Sequence, residues 1–179
     1  LDDRKLDVIE EGFDVSIRIA ELPDSSLIAR RLGPCRHVIV AAPDYLKRTG
    51  IPRTPEDLHS HNIITYRHQE SANHWHFRIP NNKQISVAVS SLVQMNNSLA
   101  IREALLKSVG IARVPTFVVG SDLQAGRLQS VFAQYEIFEV SIYLVYPQRR
   151  HLSPKVRAFV EFLAEHISGI PYWDRDLRA

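Results

Sequence analysis

Two apolar runs, each stopped by a proline, constrain this chain more than any other feature. His37-Val38-Ile39-Val40-Ala41-Ala42 ends at Pro43, and Val140-Ser141-Ile142-Tyr143-Leu144-Val145-Tyr146 ends at Pro147. Nearly continuous apolar runs of this length belong to strands buried on both faces, so the sheet needs a layer on either side. Helical patterns supply those layers. A short helix is predicted at 44–48, and another starts at Thr54-Pro55-Glu56-Asp57, where Thr54 caps and Pro55 fits the first position. Asn96-Asn97-Ser98 opens an amphipathic helix through Lys107, with Leu99, Ile101, Leu105 and Leu106 apolar and Gly110 beyond its end. The last helix is the clearest. Ser153 caps it, Pro154 occupies the first turn, Val156, Phe159, Val160, Phe162, Leu163 and Ile167 form the stripe, and Gly169 closes it. Strands alternating with helices predict an α/β architecture.

The remaining segments fit the same scheme. Residues 3–11 have helical spacing, with Gly12 at a C-cap position. Residues 13–19 alternate as a strand, with Val15, Ile17 and Ile19 on one face and Asp14, Ser16 and Arg18 on the other. Pro23-Asp24-Ser25-Ser26 is a turn. Strands are predicted at 62–67, 74–79 and 84–90, with Asn81-Asn82-Lys83 as a hairpin turn, and at 111–114 and 128–132 around another short helix.

A length of 179 residues suits one domain, or two small lobes sharing a core. The 22 Lys and Arg are interspersed among 20 Asp and Glu for a net charge of +2, which argues against a nucleic-acid surface on this chain. No apolar run has the length of a transmembrane helix and no signal peptide opens the sequence. Cys35 is the only cysteine, so an internal disulfide is excluded and a reduced, cytoplasmic setting is expected.

Candidate functional residues are few. Arg18 stands near the end of its strand, where ligands of open α/β sheets bind, and its guanidinium suits a carboxylate; an ordinary ion pair is the competing reading. Asn96, Asn97 and Ser98 open a helix, whose first N–H groups attract anions, although capping alone explains those residue types. His74 and His76 share a face of a strand with His68 nearby, but no third ligand has supporting spacing, and exposed structural histidines are expected, with Trp75 in the core. Ser153 beside His151 reads as a cap and not as a nucleophile. Nucleophile-elbow, phosphate-loop, dinucleotide and metalloprotease motifs are all missing from the sequence, so neither a catalytic residue nor a metal or cofactor is assigned.

In order along the chain, several strings resemble the effector-binding domain of LysR-type transcription regulators. They are Asp3-Arg4-Lys5-Leu6-Asp7, Glu11-Gly12-Phe13-Asp14, Ile17-Arg18-Ile19 and Leu22-Pro23-Asp24-Ser25-Ser26-Leu27. They continue with Ala42-Pro43-Asp44-Tyr45-Leu46, Pro55-Glu56-Asp57-Leu58, Trp75, Gly110-Ile111-Ala112, Val114-Pro115 and Ala125-Gly126-Arg127-Leu128. The most telling are Tyr146-Pro147, the run from Arg150 to Phe159, and Trp173-Asp174.

The resemblance implies a two-lobed fold similar to a type 2 periplasmic binding protein, with residues 38–42 and 142–146 as strands crossing between lobes. Residues 1–43 and 140–179 would form the first lobe and 44–139 the second. The family's domain begins with a strand, a helix and a second strand that this match lacks, so the first lobe is expected to be N-terminally truncated. Its strand at 13–19 would then keep an open edge, covered by another chain or left partly disordered. The resemblance also implies a small anionic effector held between the lobes by Asn96, Asn97, Ser98, Val114, Pro115, Thr116 and Phe117, with Tyr66 a weaker contact; the family's usual first-lobe contact falls in the missing segment, so Arg18, read from its strand position alone, is the candidate there. It implies no catalysis, assembly as a homo-oligomer (dimer or tetramer), and DNA contact only through an N-terminal helix-turn-helix outside this chain. A periplasmic solute-binding protein would share the fold and the cleft.

Overall fold

The computed structural model describes residues 13–20, 27–67, 72–78, 83–137, 140–147, 153–167 and 171–174. In chain order these form strands β1 (Ser16–Ala20), β2 (Leu27–Cys35) and β3 (His37–Ala41), helix α1 (Pro43–Thr49), a 3-10 helix (Pro55–Ser60), and strands β4 (Ile63–Tyr66), β5 (His74–Arg78), β6 (Gln84–Ala88) and β7 (Ser91–Met95). Then come helix α2 (Ser98–Leu106), strand β8 (Ile111–Pro115), helix α3 (Thr116–Gln124), strands β9 (Gln129–Val131), β10 (Glu136–Ile137) and β11 (Val140–Pro147), helix α4 (Pro154–Ile167), and a 3-10 turn (Tyr172–Asp174). The expected helix at 3–11 with its Gly12 cap, the turn at 23–26, Asn81 and Asn82 of the turn at 81–83, His68, His151 and Gly169 lie outside the described residues.

The described residues fall into two compact units, 36–137 in one and 13–35 with 140–174 in the other. The larger unit holds a five-stranded sheet in the order β7-β4-β8-β3-β9. Within it β4 runs parallel to β7 and β8, while β3 is antiparallel to β8 and β9. Its core takes Ile39, Val40 and Ala41 from β3, Ile63 and Ile64 from β4, Ile101 and Leu105 from α2, and Ile111, Ala112 and Val114 from β8. A second sheet, β10-β5-β6, turns Trp75, Phe77 and Val87 to the same core and leaves His74 and His76 exposed, as period-2 alternation requires. Phe77, Phe132 and Tyr135 meet edge-on with centroids 5.8–5.9 Å apart. Gly110 is required where β8 starts beside β4: a Cβ there would run into the Asn62 carbonyl, whose oxygen accepts the Ile111 N–H at 2.8 Å.

The smaller unit is a three-stranded antiparallel sheet, β1-β11-β2, with α4 packed over Leu32, Ile142, Leu144 and Tyr146 through Val156 and Val160. Lys155 pairs with Asp14 at 2.7 Å, tying the start of α4 to the segment before β1.

Several expectations change. The two proline-ended strands lie in different sheets: β3 pairs with β8 and β9, and β11 with β1 and β2. The first passage between the two compact units falls after residue 35, where β2 gives way to β3. The long partner of β11 is β2, whose Arg30-Arg31 and Gly33-Pro34 disguise it in sequence; as an edge strand it tolerates the proline. The helix expected at residue 54 is a 3-10 helix, its start fixed by Asp57 Oδ2, which accepts the N–H groups of Arg53 (2.8 Å) and Thr54 (2.9 Å). The stripe of α4 narrows. At 100° per residue Phe162 lies well round from Val156 and Val160, and it is 54% exposed, with Phe159 also exposed on the flank. β1 is the outer strand of its sheet, and Ile17 and Ile19 on it are 53% and 41% exposed. No helix among the described residues is long and apolar enough to cross a membrane.

Candidate functional site

Helices α2 and α3 of the larger unit enclose a groove of about 480 Å³ lined by Asn97, Ser98, Leu99, Arg102, Phe117, Val118 and Ser121. Both helices begin there. Asn97 stays extended and caps α2, its Oδ1 accepting the N–H groups of Leu99 (3.0 Å) and Ala100 (3.2 Å). Pro115 occupies the equivalent position of α3, whose start has no side-chain cap. Thr116 is buried. Its amide donates to the Arg36 carbonyl at 2.9 Å and its hydroxyl to the same oxygen at 3.3 Å.

Arg102, one of the lining residues, belongs to an ionic cluster. Asp122 on α3 is fully buried and accepts Arg102 Nε on Oδ2 (2.5 Å) and Nη2 on Oδ1 (2.9 Å). Arg127, in the turn after α3, donates its Nε to Oδ1 at 2.7 Å from the same carboxylate. Burial alone would raise the Asp122 carboxyl, but the hydrogen bonds and charges of Arg102 and Arg127 outweigh it and hold the group below its ordinary range. The bond to Asp122 likewise keeps the Arg102 guanidinium above its usual value. Arg102 is thus a permanent cation with its Nε edge fixed. Hydroxyls of Ser98 and Ser121 complete the polar lining, and Leu99, Phe117 and Val118 supply the apolar part. That mixture suits a small molecule with one polar end and an apolar body.

The groove gathers three of the expected contacts: Asn97, Ser98 and Phe117. Asn96 is exposed just before the cap, outside the lining. Val114 is buried in the core, Pro115 pairs with His37 in the β8–β3 ladder, and Thr116 is committed to Arg36. Tyr66 ends β4 opposite Met95, packed against the core. Arg18 lies on β1 of the smaller unit, opposite Tyr143. Leu99, Arg102, Val118 and Ser121 also line the groove and stand outside the candidates drawn from the sequence. Helical spacing carries the signal: 98 with 102 and 117 with 121 are i,i+4 pairs, one face of each helix.

A more open hollow of about 470 Å³ lies elsewhere in the larger unit, lined by His59, Asn73, Ala88, Val89, Ser90, Ser91 and Gln94. Its Ser91 hydroxyl already accepts from Thr65 and donates to the Val93 carbonyl, both at 2.8 Å, and it has no fixed charge comparable with Arg102. Among the described residues no group of three His, Cys, Asp or Glu side chains is placed to hold a metal.

Residues 2–168 match the family model for the LysR substrate binding domain. The chain is 35% identical over 154 residues to an uncharacterized HTH-type transcriptional regulator of Haemophilus influenzae, covering 86% of this chain and 53% of that protein. It is 37% identical over 163 residues to the Escherichia coli HTH-type transcriptional regulator YhjC, covering 90% and 54%. It therefore spans about half the length of the curated relatives it matches. Among solved structures, the regulatory domain of CrgA from Neisseria meningitidis, a LysR-type regulator, superposes with a TM-score of 0.79 at 28% identity, over 89% of this chain and 78% of that one. The full-length Vibrio cholerae virulence activator AphB gives 0.78 at 27%, over 92% and 55%. The mixed α/β fold is that of these regulatory domains, the periplasmic-binding-protein-like class expected from the sequence.

Proposed function

Because the chain belongs to the LysR substrate-binding domain family, we propose that it is the ligand-sensing part of a LysR-type transcription regulator and takes a small anionic effector in the α2/α3 groove. The observation that carries this reading is Arg102, a permanent cation fixed by a buried carboxylate in a groove beside the start of α3, which has no side-chain cap. Leu99, Phe117 and Val118 hold the apolar body. The effector is bound without being transformed. Occupancy changes how a helix-turn-helix elsewhere in the full-length protein engages DNA, through differential affinity for two arrangements of the regulator. The protein works in the cytoplasm as a homo-oligomer, and the exposed Ile17 and Ile19 on the outer strand β1 are apolar surface available for cover by another chain.

A thermal-shift screen of small carboxylates, each paired with its neutral amide, tests the assignment, since a ligand of the folded state alone raises stability. Carboxylates should raise the melting temperature more than their amides, and Ser121→Trp, which fills the groove from an exposed position, should abolish the gain. Ligands that stabilise Ser121→Trp as well as the parent chain would place the effector elsewhere.

A further inference from the structure

Resting on that reading of the groove, we propose that Glu103 is an internal stand-in for the effector's carboxylate, holding the outer nitrogen of Arg102 until a ligand carboxylate displaces it. The guanidinium has two carboxylate neighbours of very different character. Asp122 takes Nε and Nη2, is fully buried, and is bound from the other side by Arg127. Removing it would strand two cations against a desolvated site, so this contact stays. Glu103 takes only Nη1, at 2.7 Å, with a side chain 63% exposed.

The Glu103 contact is weak on two physical grounds. Exposed ion pairs contribute little because water screens them and two long side chains must be ordered. The residues are also neighbours on α2, and positions i and i+1 of a helix point about 100° apart, so both side chains must lean together to meet. Glu103 lies outside the groove lining whereas Arg102 is within it. The contact therefore draws the free end of a lining cation toward a residue off the site, and releasing it returns Nη1 to the groove.

Charge balance names the ligand class. Arg102 and Arg127 face Asp122 and Glu103, two cations against two anions. With Glu103 gone the cluster carries one net positive charge, so the exchange replaces one monoanion by another. A monocarboxylate fits that stoichiometry. A phosphate dianion would leave the site negative. Glu103 then sets a threshold: a neutral analogue has nothing to exchange for the lost ion pair, and a carboxylate does.

Calorimetric titration of the 179-residue chain with phenylacetate and its neutral isostere phenylacetamide tests this. Glu103→Gln should tighten phenylacetate about two- to five-fold, the range of an exposed ion pair, and leave phenylacetamide unchanged. In an Arg102→Lys background, where one ammonium still serves Asp122, the same Glu103→Gln change should have no effect on either probe. Equal tightening of both probes, an unchanged phenylacetate affinity, or the same tightening in the Arg102→Lys background would overturn the proposal while leaving the groove intact as the site. Failure of phenylacetate to bind, or phenylacetate binding undiminished by Ser121→Trp, would remove the groove reading and this inference with it.

Discussion

Asp122 receives Arg102 through Nε at 2.5 Å and Nη2 at 2.9 Å, so a fully buried carboxylate on α3 fixes a guanidinium on α2. With Arg127 on the same carboxylate, one residue joins two helices to the turn that leads into β9. Asp122→Asn keeps the shape and removes the charge, leaving two cations without their counterion. The expected loss is about 3 kcal/mol of folding stability, the scale of a broken buried pair. The loss should depend on pH. The folded-state carboxyl is held below its ordinary 3.8, so its contribution is present above that value and disappears as pH falls through the folded-state value. Urea midpoints of parent and variant should differ at pH 7 and converge toward pH 3.

Asn97 separates capping from ligand binding. Asn97→Ala removes the acceptor for two amides of α2 and should cost about 1 kcal/mol. Asn97→Asp keeps an acceptor and adds a negative charge at a helix start, so its melting temperature should stay close to the parent's. The same charge faces the groove, and carboxylate affinity should fall. Calorimetry of the two variants checks this: the alanine variant should be the less stable one and the aspartate variant the poorer anion binder.

Tyr45 is a structural hub with no part in the groove. Its buried hydroxyl accepts the Asn62 N–H at 2.9 Å, and Arg48 lies 5.8 Å from its ring centroid. Tyr45→Phe leaves that amide without its acceptor and should cost about 1–2 kcal/mol in a denaturant titration. Ligand affinity should not change.

His61 beside it gives the fold a pH response of opposite chemistry. Its Nδ1 stands 3.3 Å from the Tyr45 hydroxyl, and burial lowers its affinity for a proton, with the charge of Asp57 opposing in part. A lowered histidine is neutral in the folded state. Its stabilisation is present above the ordinary 6.5 and is lost as pH falls below it. The stability advantage of the parent over His61→Gln should therefore shrink between pH 7.5 and 5.5, measured by urea midpoints.

Much of this was legible beforehand, for reasons that differ by element. α1, α2 and α4 announce themselves by proline, cap and spacing, and β3 and β11 by apolar runs bounded by proline. β2 was invisible because its place depends on a register with β11 more than 100 residues away, and its own Gly-Pro pair reads as a loop. β7 and the two-residue β10 likewise exist through tertiary pairing. In the site, capping chemistry exposed Asn97 and Ser98, and the Val-Pro string led to Phe117. Arg102 escaped because a helical arginine is ordinarily solvated; its meaning comes from Asp122, twenty residues on. Spacing puts Leu99 on the apolar stripe of α2, yet it is 53% exposed at the groove.

The most direct test of the account is to map where a stabilising carboxylate binds, by following backbone amide resonances during its titration. The amides of Ser98, Leu99, Phe117, Val118 and Ser121 should move together and saturate at the calorimetric affinity. Shifts centred instead on His59, Asn73, Ser90 and Gln94, with the α2/α3 residues unmoved, would contradict it.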